Sequence, residues 1–310
     1  MKKIILAGGA GLVGQNLVAR LVERDDLELV VLDKHKANLS ILRDMQPGVV
    51  AEYADLAKAG DWQGHFDNAS AVVMLQAQIG GIYYEEFERN NLAATDHVLD
   101  AMKRYNVPNL VHISSSVVNS QADDFYTRSK TLQEQRVLES GVNCVVLRPT
   151  LMFGWFDRKH LGWLSRFMQK VPVFPVPGLG RYPRQPLYAG DFCNIILRCL
   201  EKPEIAGVYD ISGLEHIDYI DLIKTIKSIT KAKSLILPIP YSVFFSLLWV
   251  WALFDKNPPF TVHQLRALVI DESFEIIDWP GIFNVKATSF EDAVRETFTH
   301  PVYSDVVLEF

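Results

Sequence analysis

The chain opens with Met1-Lys-Lys-Ile-Ile-Leu-Ala-Gly-Gly-Ala-Gly-Leu-Val-Gly14, the stretch that decides the fold. It has the pattern of a short apolar strand, a glycine-rich turn and the start of a helix with apolar residues at helical spacing. Gly8 permits a tight turn, Gly11 lets the backbone approach a pyrophosphate, and Gly14 lets the helix pack closely against the strand. The stretch therefore predicts a dinucleotide-binding unit.

The second predicted strand indicates which dinucleotide is bound. It ends at Asp33, whose carboxylate is placed to accept hydrogen bonds from an adenosine ribose, and this favours NAD. The basic residues 34–36 follow directly and would be able to pair with a 2′-phosphate. NADP therefore stays open as the cofactor, although we prefer to interpret these three residues as a solvated turn.

Strands and helices alternate through the first half of the chain, as a doubly wound parallel sheet requires. The predicted strands are Lys3–Ala7, Leu29–Asp33, Val49–Tyr53, Ala71–Leu75, Leu110–Ser114 and Asn143–Leu147. Most of them are apolar runs, as expected for strands that are covered on both faces. We predict an α/β fold with a Rossmann-type NAD(P)-binding domain over residues 1–150.

The second half of the chain has a different composition, with prolines gathered between residues 172 and 186. We expect residues 151–310 to form a smaller C-terminal substrate-binding lobe, with the chain crossing back and forth between the two domains. Its predicted regular elements are the helix Asp191–Glu201, the strand Gly207–Ile211, the helix Tyr219–Ile229 and the terminal helix Phe290–Thr297. Ligands of open parallel sheets lie beyond the C-terminal strand ends, so this lobe is expected to cover the cofactor.

Composition excludes several classes of protein. The net charge of −6 and the dispersed Lys and Arg residues give no basic surface for nucleic acid. The three cysteines form no Cys-x-x-Cys pair, and the first strand leaves no room for a secretory signal peptide, so we expect a cytoplasmic protein. The histidines are scattered without metal-ligand spacing, and we expect no metal.

A second motif, Tyr126-Thr-Arg-Ser-Lys130, follows the hydroxyl run Ser114-Ser115-Ser116. Residues four apart share one face of a helix, and an ammonium beside a phenol favours the phenolate, which predicts a lowered pKa for Tyr126. Such a tyrosine can exchange a proton with a substrate hydroxyl. Taken alone, the spacing also fits an exposed helical pair.

The motifs together resemble the extended, or atypical, short-chain dehydrogenases/reductases of the NAD-dependent epimerase/dehydratase family. Those in the first half are Gly8-x-x-Gly11-x-x-Gly14, Asp33, Asp55-Leu56, Val72-Val-Met-Leu-Gln-Ala77, Asn91-Leu-Ala-Ala-Thr95, Val111-His-Ile-Ser-Ser-Ser116, Tyr126-x-x-x-Lys130 and Arg148-Pro149. Those in the second half are Gln185-Pro-Leu-Tyr-Ala-Gly-Asp191, Gly207-Val-Tyr-Asp-Ile-Ser212 and Thr288-Ser-Phe-Glu-Asp-Ala293. The resemblance runs nearly from end to end.

The resemblance implies a role for each matching residue. Tyr126 would be the catalytic acid/base, Lys130 would hold the nicotinamide ribose, and Ser115 would polarise the substrate oxygen. Ser116 is the alternative serine and a candidate substrate contact, and Arg184 would meet a substrate diphosphate or remain a surface cation. The implied cofactor-binding residues are Gly8, Gly11, Leu12, Val13, Gly14, Asp33, Asp55, Leu56, Leu75, Gln76, Ala77, Asn91, Ser114, Tyr126, Lys130, Arg148 and Pro149.

The implied function is that of an NAD(P)-dependent oxidoreductase or epimerase acting on a secondary alcohol carbon through a transient ketone. A nucleoside-diphosphate sugar is the first expectation for the substrate. Leu151 replaces an Asn of the family pattern, and the interval from Ser115 to Tyr126 is short. Two alternatives therefore stay open: a hydroxysteroid-dehydrogenase-like enzyme on a hydrophobic alcohol, and a non-catalytic NAD(P)H-binding protein resembling the dinucleotide-binding accessory subunit of respiratory complex I.

Two further expectations concern surfaces. The helices predicted near 84–104 and 126–140 would lie side by side and form a homodimer. The segment Tyr241–Phe254 is almost entirely apolar, and as a helix of ~21 Å it is too short to span a hydrocarbon core of ~30 Å. We expect it to be buried against the lobe, with peripheral membrane contact or a lipid-like substrate pocket as alternatives.

Overall fold

The computed structural model describes residues 1–254, 261–269 and 273–309. The strands are β1 (Lys2–Ala7), β2 (Leu27–Asp33), β3 (Val50–Tyr53), β4 (Ala69–Met74), β5 (Asn109–Ile113), β6 (Asn143–Pro149), β7 (Met152–Phe153), β8 (Val173–Pro177), β9 (Pro183–Arg184), β10 (Leu187–Tyr188), β11 (Gly207–Ile211), β12 (Ile217–Asp218) and β13 (Leu235–Ile239). The α-helices are α1 (Leu12–Leu21), α2 (Lys36–Met45), α3 (Tyr84–Phe87), α4 (Ala94–Arg104), α5 (Phe125–Glu139), α6 (Leu161–Lys170), α7 (Ala189–Glu201), α8 (Tyr219–Thr230), α9 (Tyr241–Phe254), α10 (Val262–Leu268), α11 (Trp279–Phe283) and α12 (Phe290–Thr299).

Seven parallel strands form the central sheet in the order β11-β6-β5-β4-β1-β2-β3. The order reverses between β1 and β4, as in a doubly wound sheet, and the predicted Rossmann-type α/β fold is confirmed. β11 extends the sheet at its edge, with Gly207 opposite Val145 and Ile211 opposite Pro149. Residues after 150 thus contribute one strand to the sheet, and the proposed division into two domains remains a prediction.

The six predicted strands of the first half are all present in the sheet, with bounds shifted by hydrogen-bonded pairing. β2 begins at Leu27 because Leu27 lies opposite Lys2 of β1, and β6 continues to Pro149 because that residue lies opposite Ile211. The long helix predicted near 84–104 is present, but a π-helical stretch, Glu88–Ala93, joins α3 to α4. Short 3-10 helices cover Asp61–Phe66 and Ser116–Asn119.

The core lies on both faces of the sheet because successive strand residues point to opposite sides. Ile4 and Leu6 belong to one buried cluster, together with residues of α1 and α7, while Ile5 belongs to a second cluster with residues of α4. A third buried cluster contains aromatic and aliphatic residues from the second half, such as Phe153 and Ile223. It lies under three two-stranded sheets, which pair β10 with β7, β12 with β9 and β13 with β8.

The expected burial of the apolar segment 241–254 is wrong. The segment forms α9, but Phe244 is its one buried residue, and Leu247, Trp249, Trp251 and Phe254 are each more than half exposed. The third cluster is already closed by side chains of α6, α8, α12 and β8, which leaves α9 on the surface. Within the part of the chain that the structure describes, no helix combines the length and apolar character needed to cross a membrane.

Candidate functional site

The glycine turn between β1 and α1 opens the candidate site. Gly8 has φ +77°, and a Cβ there would lie 2.4 Å from the backbone N of Gln76. A Cβ at Gly14 would lie 2.2 Å from the carbonyl O of Gly9, whereas one at Gly11 would meet Gly8 O only at 4.0 Å. No side chain caps the N-terminus of α1 at Gly11. The turn therefore presents uncapped backbone N–H groups to open space, as an anion site requires.

Asp33 ties the end of β2 to this turn. Its Oδ2 accepts a hydrogen bond from Ala10 N at 3.0 Å, and its Oδ1 accepts one from His35 N at 2.9 Å. Each carboxylate oxygen has a second lone pair, so both can still accept a ribose hydroxyl. Asp33 can therefore bind the ribose of the predicted dinucleotide without losing its hydrogen bonds to Ala10 and His35.

The three basic residues after β2 have partners within the chain. Lys34 Nζ donates to Asn90 Oδ1 at 2.6 Å, and Lys36 Nζ lies 5.1 Å from the centre of the Tyr53 ring. His35 Nδ1 caps α2 by accepting from Asn38 N at 3.3 Å. Burial lowers the pKa of Lys34. These contacts give each of the three side chains a structural role.

Asp55 and Leu56 follow β3 and differ in their contacts and burial. The Asp55 carboxylate accepts a hydrogen bond from Arg89, and the Leu56 side chain is buried in the second cluster against Trp62. Leu56 therefore contributes mainly packing. Asp55 is the more exposed of the two residues, and the resemblance implies that the adenine lies beside it.

The segment after β4 is held by one buried amide. Asn91 is fully buried; its Oδ1 accepts from Gln78 N at 2.6 Å, and its Nδ2 donates to Gln78 O at 3.2 Å and to Ser129 Oγ at 2.9 Å. Ala77 is exposed, while Leu75 and Gln76 are half-buried. The Asn91 side chain therefore fixes the backbone of Gln78, and any effect on the cofactor would pass through the segment that ends there.

The catalytic candidates Ser115 and Tyr126 lie in contact where β5 ends and α5 begins. α5 is capped by Asp124, whose Oδ1 accepts from Thr127 N at 2.9 Å, and this places Tyr126 in the first turn. Burial raises the pKa of Tyr126, and a hydrogen bond with Ser115 opposes the rise. The short interval in sequence does not keep the two side chains apart.

Lys130 does not lower the pKa of Tyr126, contrary to the expectation from their spacing. Its fully buried Nζ donates to Ile113 O at 2.9 Å and to Gln133 Oε1 at 2.6 Å. Because burial penalises the charged form, the pKa of Lys130 falls to about 7, despite the opposing charge of Glu134. Burial of both groups thus outweighs the attraction that their four-residue spacing predicts.

Ser114 and Arg148 meet at Glu134, a residue that the sequence motifs do not single out. Ser114 Oγ donates to Glu134 Oε2 at 2.6 Å, and Arg148 Nε donates to both carboxylate oxygens, at 3.0 and 3.2 Å. Burial would raise the pKa of Glu134, but the hydrogen bonds from Arg148 and Ser114 bring it below its usual value. Its position four residues after Lys130, on the same helical face, was the available signal.

Two more buried polar residues beside Lys130, Gln133 and His112, lie outside the sequence motifs. Gln133 Nε2 donates to Thr95 Oγ1 at 2.9 Å, which orients its amide oxygen toward Lys130. His112 is fully buried on β5, and both of its ring nitrogens are without a hydrogen-bond partner. Burial lowers the pKa of His112 well below its usual value, and the charge of Lys130 adds to this. The apolar strand pattern around residue 112 predicts burial, but it gives no sign that the imidazole lies beside Lys130.

One protein-family model matches most of the chain. The model described as the NAD dependent epimerase/dehydratase family matches residues 4–212. The chain belongs to this family. The expectations of an NAD-dependent epimerase/dehydratase-type enzyme and of NAD as the family's cofactor are thereby confirmed.

Proteins of similar sequence and structure bear the names of different functions. The chain is 22% identical over 281 residues to a UDP-glucose 4-epimerase from Vibrio cholerae, covering 82% of each chain. It is 26% identical over 270 residues to NADH dehydrogenase [ubiquinone] 1 alpha subcomplex subunit 9 from Dictyostelium discoideum, covering 83% of this chain and 73% of that protein. The structure of UDP-N-acetylglucosamine 4-epimerase from Methanobrevibacter ruminantium M1 has the same fold, with a TM-score of 0.72 at 18% identity and 96% coverage of both chains.

Leu151, at which this family member departs from the pattern, is 37% exposed just after β6, and Met74 at the end of β4 is buried in the second cluster. Arg184 lies on β9 opposite Ile217, with its guanidinium 5.4 Å from the centre of the Tyr182 ring. Its contact with a substrate remains a prediction, as does that of Ser116 at the start of the 3-10 helix. Among the described residues, no group of three or more His, Cys, Asp or Glu side chains is arranged to hold a metal.

Proposed function

We propose that this family member oxidises a secondary alcohol carbon of a nucleoside-diphosphate sugar and returns the hydride, with epimerisation as the outcome. The observation that carries the proposal is the contact between Ser115 and Tyr126 at the C-terminal edge of the sheet. The uncapped glycine turn and Asp33 lie at the ends of neighbouring strands of that edge. In this proposal the protein groups for proton transfer and for dinucleotide binding therefore line one cleft.

NAD, when bound, accepts a hydride from the substrate carbon and can give it back. In this proposal the backbone N–H groups at Gly11 bind the pyrophosphate, and Asp33 binds the adenosine ribose. Ser115 holds the Tyr126 hydroxyl, and Tyr126 removes the proton from the substrate hydroxyl as the carbon is oxidised to a ketone. Lys130 supplies a hydrogen-bond donor to the nicotinamide ribose after a change of its partners Ile113 and Gln133.

One line supports a nucleotide sugar as the substrate, and another supports epimerisation as the outcome. The epimerases named above, from Vibrio cholerae and Methanobrevibacter ruminantium, bear the names of enzymes that act on UDP-sugars. Val117, next to Ser116, occupies a position at which the resemblance implies an acidic residue in dehydratases, and this favours epimerisation over dehydration. In this proposal Arg184 binds the substrate diphosphate.

The experiment is to incubate the purified chain with NAD and, separately, UDP-glucose, UDP-N-acetylglucosamine and UDP-glucuronic acid, and to separate the products by chromatography. A 4-epimer from at least one of them is the expected result. A protein that binds NAD but neither epimerises nor oxidises any of the three would refute the nucleotide-sugar proposal.

A second candidate function is the non-catalytic binding of NAD(P)H, as in the accessory subunit named above. The observation in its favour is that Lys130 is enclosed by Ile113 O and Gln133, while burial raises the pKa of Tyr126. Tight retention of reduced dinucleotide, without turnover of any alcohol, would favour this candidate. Oxidation of a hydrophobic alcohol instead of a sugar would favour the hydroxysteroid-dehydrogenase-like alternative.

We also propose a cytoplasmic homodimer. α5 packs beside α4, and its outward residues Leu132 and Leu138 are 39% and 48% exposed. Cys144, Cys193 and Cys199 are free thiols, which suits a reducing compartment. Light scattering is expected to give the mass of a dimer for the native chain and of a monomer for Leu132→Glu/Leu138→Glu. A native monomer would contradict the proposal.

A further inference from the structure

α9 is an apolar helix that almost nothing in the described chain covers. Its fourteen residues include no charged side chain and contain Tyr241, Trp249 and Trp251. Exposed residues occur all along it, from Tyr241 to Phe254, and Phe244 alone is buried. At 100° per residue, the exposed positions 241, 242, 243, 247, 249, 251 and 252 are distributed around most of the circumference.

This distribution argues against a protein groove as the partner of α9. A groove, or the same helix of a second copy, would cover one side and leave the opposite apolar side in water. A helix of ~21 Å in length and ~10 Å in diameter offers about 300 Å² on one side, well below the ~800 Å² per partner of a stable interface. A medium that surrounds the helix covers all of it.

The neighbourhood of α9 suits a phospholipid surface. Gly178 N donates to Ile239 O at 2.7 Å, which places Leu179, 75% exposed, beside the start of the helix and enlarges the apolar surface. The guanidinium of exposed Arg266 lies 5.6 Å from the centre of the Phe245 ring. A cation at the side of an apolar helix is positioned for lipid phosphates, and tryptophans favour the boundary between headgroups and acyl chains.

The charge of the adjoining sequence is complementary to an anionic membrane. Between Asp221 and Asp255 the chain has four lysines and no Asp or Glu, although the whole protein has a net charge of −6. Lys224 is paired with Asp221 at 3.0 Å, so the local positive charge comes from the other three lysines. It would attract anionic headgroups without making the rest of the surface basic.

We propose that α9 docks this protein on the surface of an anionic phospholipid bilayer. The helix lies in the interface, with its side chains among the upper acyl chains and Arg266 among the phosphates. At ~21 Å it does not reach across the ~30 Å core, so it anchors the protein to one leaflet. The proposal concerns location and is independent of the reaction proposed above.

Flotation of the full-length protein with vesicles of phosphatidylcholine and phosphatidylglycerol tests this proposal. Leu247 and Val250 are 58% and 46% exposed, so Leu247→Glu/Val250→Glu leaves the core intact. We expect the native protein to float with the vesicles and the variant to partition about a hundredfold less, since each lost apolar side chain weakens insertion roughly tenfold. The tryptophan emission of the native protein is expected to shift to the blue on binding.

The matched control is Val302→Glu/Ile282→Glu, which adds the same charge at positions 57% and 45% exposed in the C-terminal turn and in α11. We expect this control to bind vesicles like the native protein. Retained NAD binding and unchanged thermal unfolding verify that each variant is folded. The proposal is overturned if the native protein does not float, if both variants bind equally, or if the α9 variant instead abolishes a self-association of the native chain in lipid-free solution.

Discussion

At the scale of residues, the sequence predicts which groups are neighbours better than it predicts how they are oriented. The four-residue spacing placed Tyr126 and Lys130 on one helical face, and the hydroxyl run supplied Ser115, which contacts Tyr126. The direction of the Lys130 ammonium depends on Gln133, three residues later on α5, and on Ile113 O, which reaches it through tertiary packing. Local spacing carries no information about Ile113.

The buried Lys130 predicts an unusual dependence of stability on pH. Its pKa of about 7 in the folded chain lies below the ~10.5 of an unfolded lysine, so the unfolded state binds more protons between these values. The free energy of unfolding should therefore rise with pH above about 7, by up to ~1.4 kcal/mol per unit, and this contribution is lost as pH falls back toward 7.

Urea unfolding of the native chain and of Lys130→Met at pH 7 and pH 9 measures this effect. The native chain should gain stability between the two values relative to Lys130→Met, whose side chain cannot titrate. The exposed lysine in Lys202→Met serves as the control and should follow the native curve. Parallel curves for the native chain and Lys130→Met would contradict the assignment of this titration to Lys130.

The pKa of Tyr126 predicts the pH profile of the oxidation. Burial raises this pKa and the Ser115 hydrogen bond opposes the rise, so alcohol oxidation should increase with pH as the phenolate forms. Ser115→Ala removes the opposing contact and should move the rise to higher pH, besides slowing the reaction. Rates measured from pH 6 to pH 10 test this, and a profile that Ser115→Ala leaves in place would argue against the coupling.

At the scale of elements, strands and helices were predictable because apolar periodicity and glycine turns are local signals. Their bounds were not, since pairing across the sheet sets them, as Leu27 opposite Lys2 shows. The π-helical stretch Glu88–Ala93 continues the periodicity of its neighbours, and its sequence gives no separate signal. α9 was expected to be buried because an apolar composition alone does not show whether the lobe has room for it.

Two glycines of the first turn, Gly8 and Gly11, should respond differently to alanine. Gly8→Ala places a Cβ in a left-handed conformation 2.4 Å from Gln76 N, and should cost about 1–3 kcal/mol of stability from backbone strain alone. Gly11→Ala meets no protein atom closer than 4.0 Å, so it should change stability by about 1 kcal/mol at most while weakening NAD binding.

Calorimetric titration with NAD and urea unfolding separate these two effects. Gly48→Ala, a glycine whose added Cβ meets nothing within 4 Å, is the control for both measurements and should bind NAD normally. Unimpaired NAD binding by Gly11→Ala would show that the pyrophosphate does not lie at this turn.

At the scale of the whole molecule, the second half of the chain is tied into the first. β11 pairs with β6 at the edge of the central sheet. Arg20 of α1 donates to Tyr188 Oη at 2.8 Å and to Glu296 of α12 at 2.9 Å, with its guanidinium 4.0 Å from the centre of the Trp155 ring. The change of composition after residue 150 predicts a separate lobe. These contacts could not be predicted, because they join residues far apart in sequence and no local sequence pattern indicates them.

These links predict one cooperative unfolding transition for the described elements. Arg20→Met removes the partner that Tyr188 and Glu296 share and should cost about 1–2 kcal/mol, since the Glu296 side chain is 36% exposed and water partly replaces the lost contacts. Near- and far-ultraviolet circular dichroism should give coincident urea transitions for the native chain. Two separated transitions in the native chain would mean that the halves unfold independently.

The central claim is that Tyr126 exchanges the proton while NAD exchanges the hydride. The most direct measurement compares the native chain with Tyr126→Phe for NAD binding by calorimetry and for reduced-nicotinamide absorbance after addition of a UDP-sugar. We predict equal NAD affinity in both, with hydride transfer slowed by about 10²–10⁴ in Tyr126→Phe. Hydride transfer at the native rate in Tyr126→Phe, or its absence from a native chain saturated with NAD and UDP-sugars, would contradict the account.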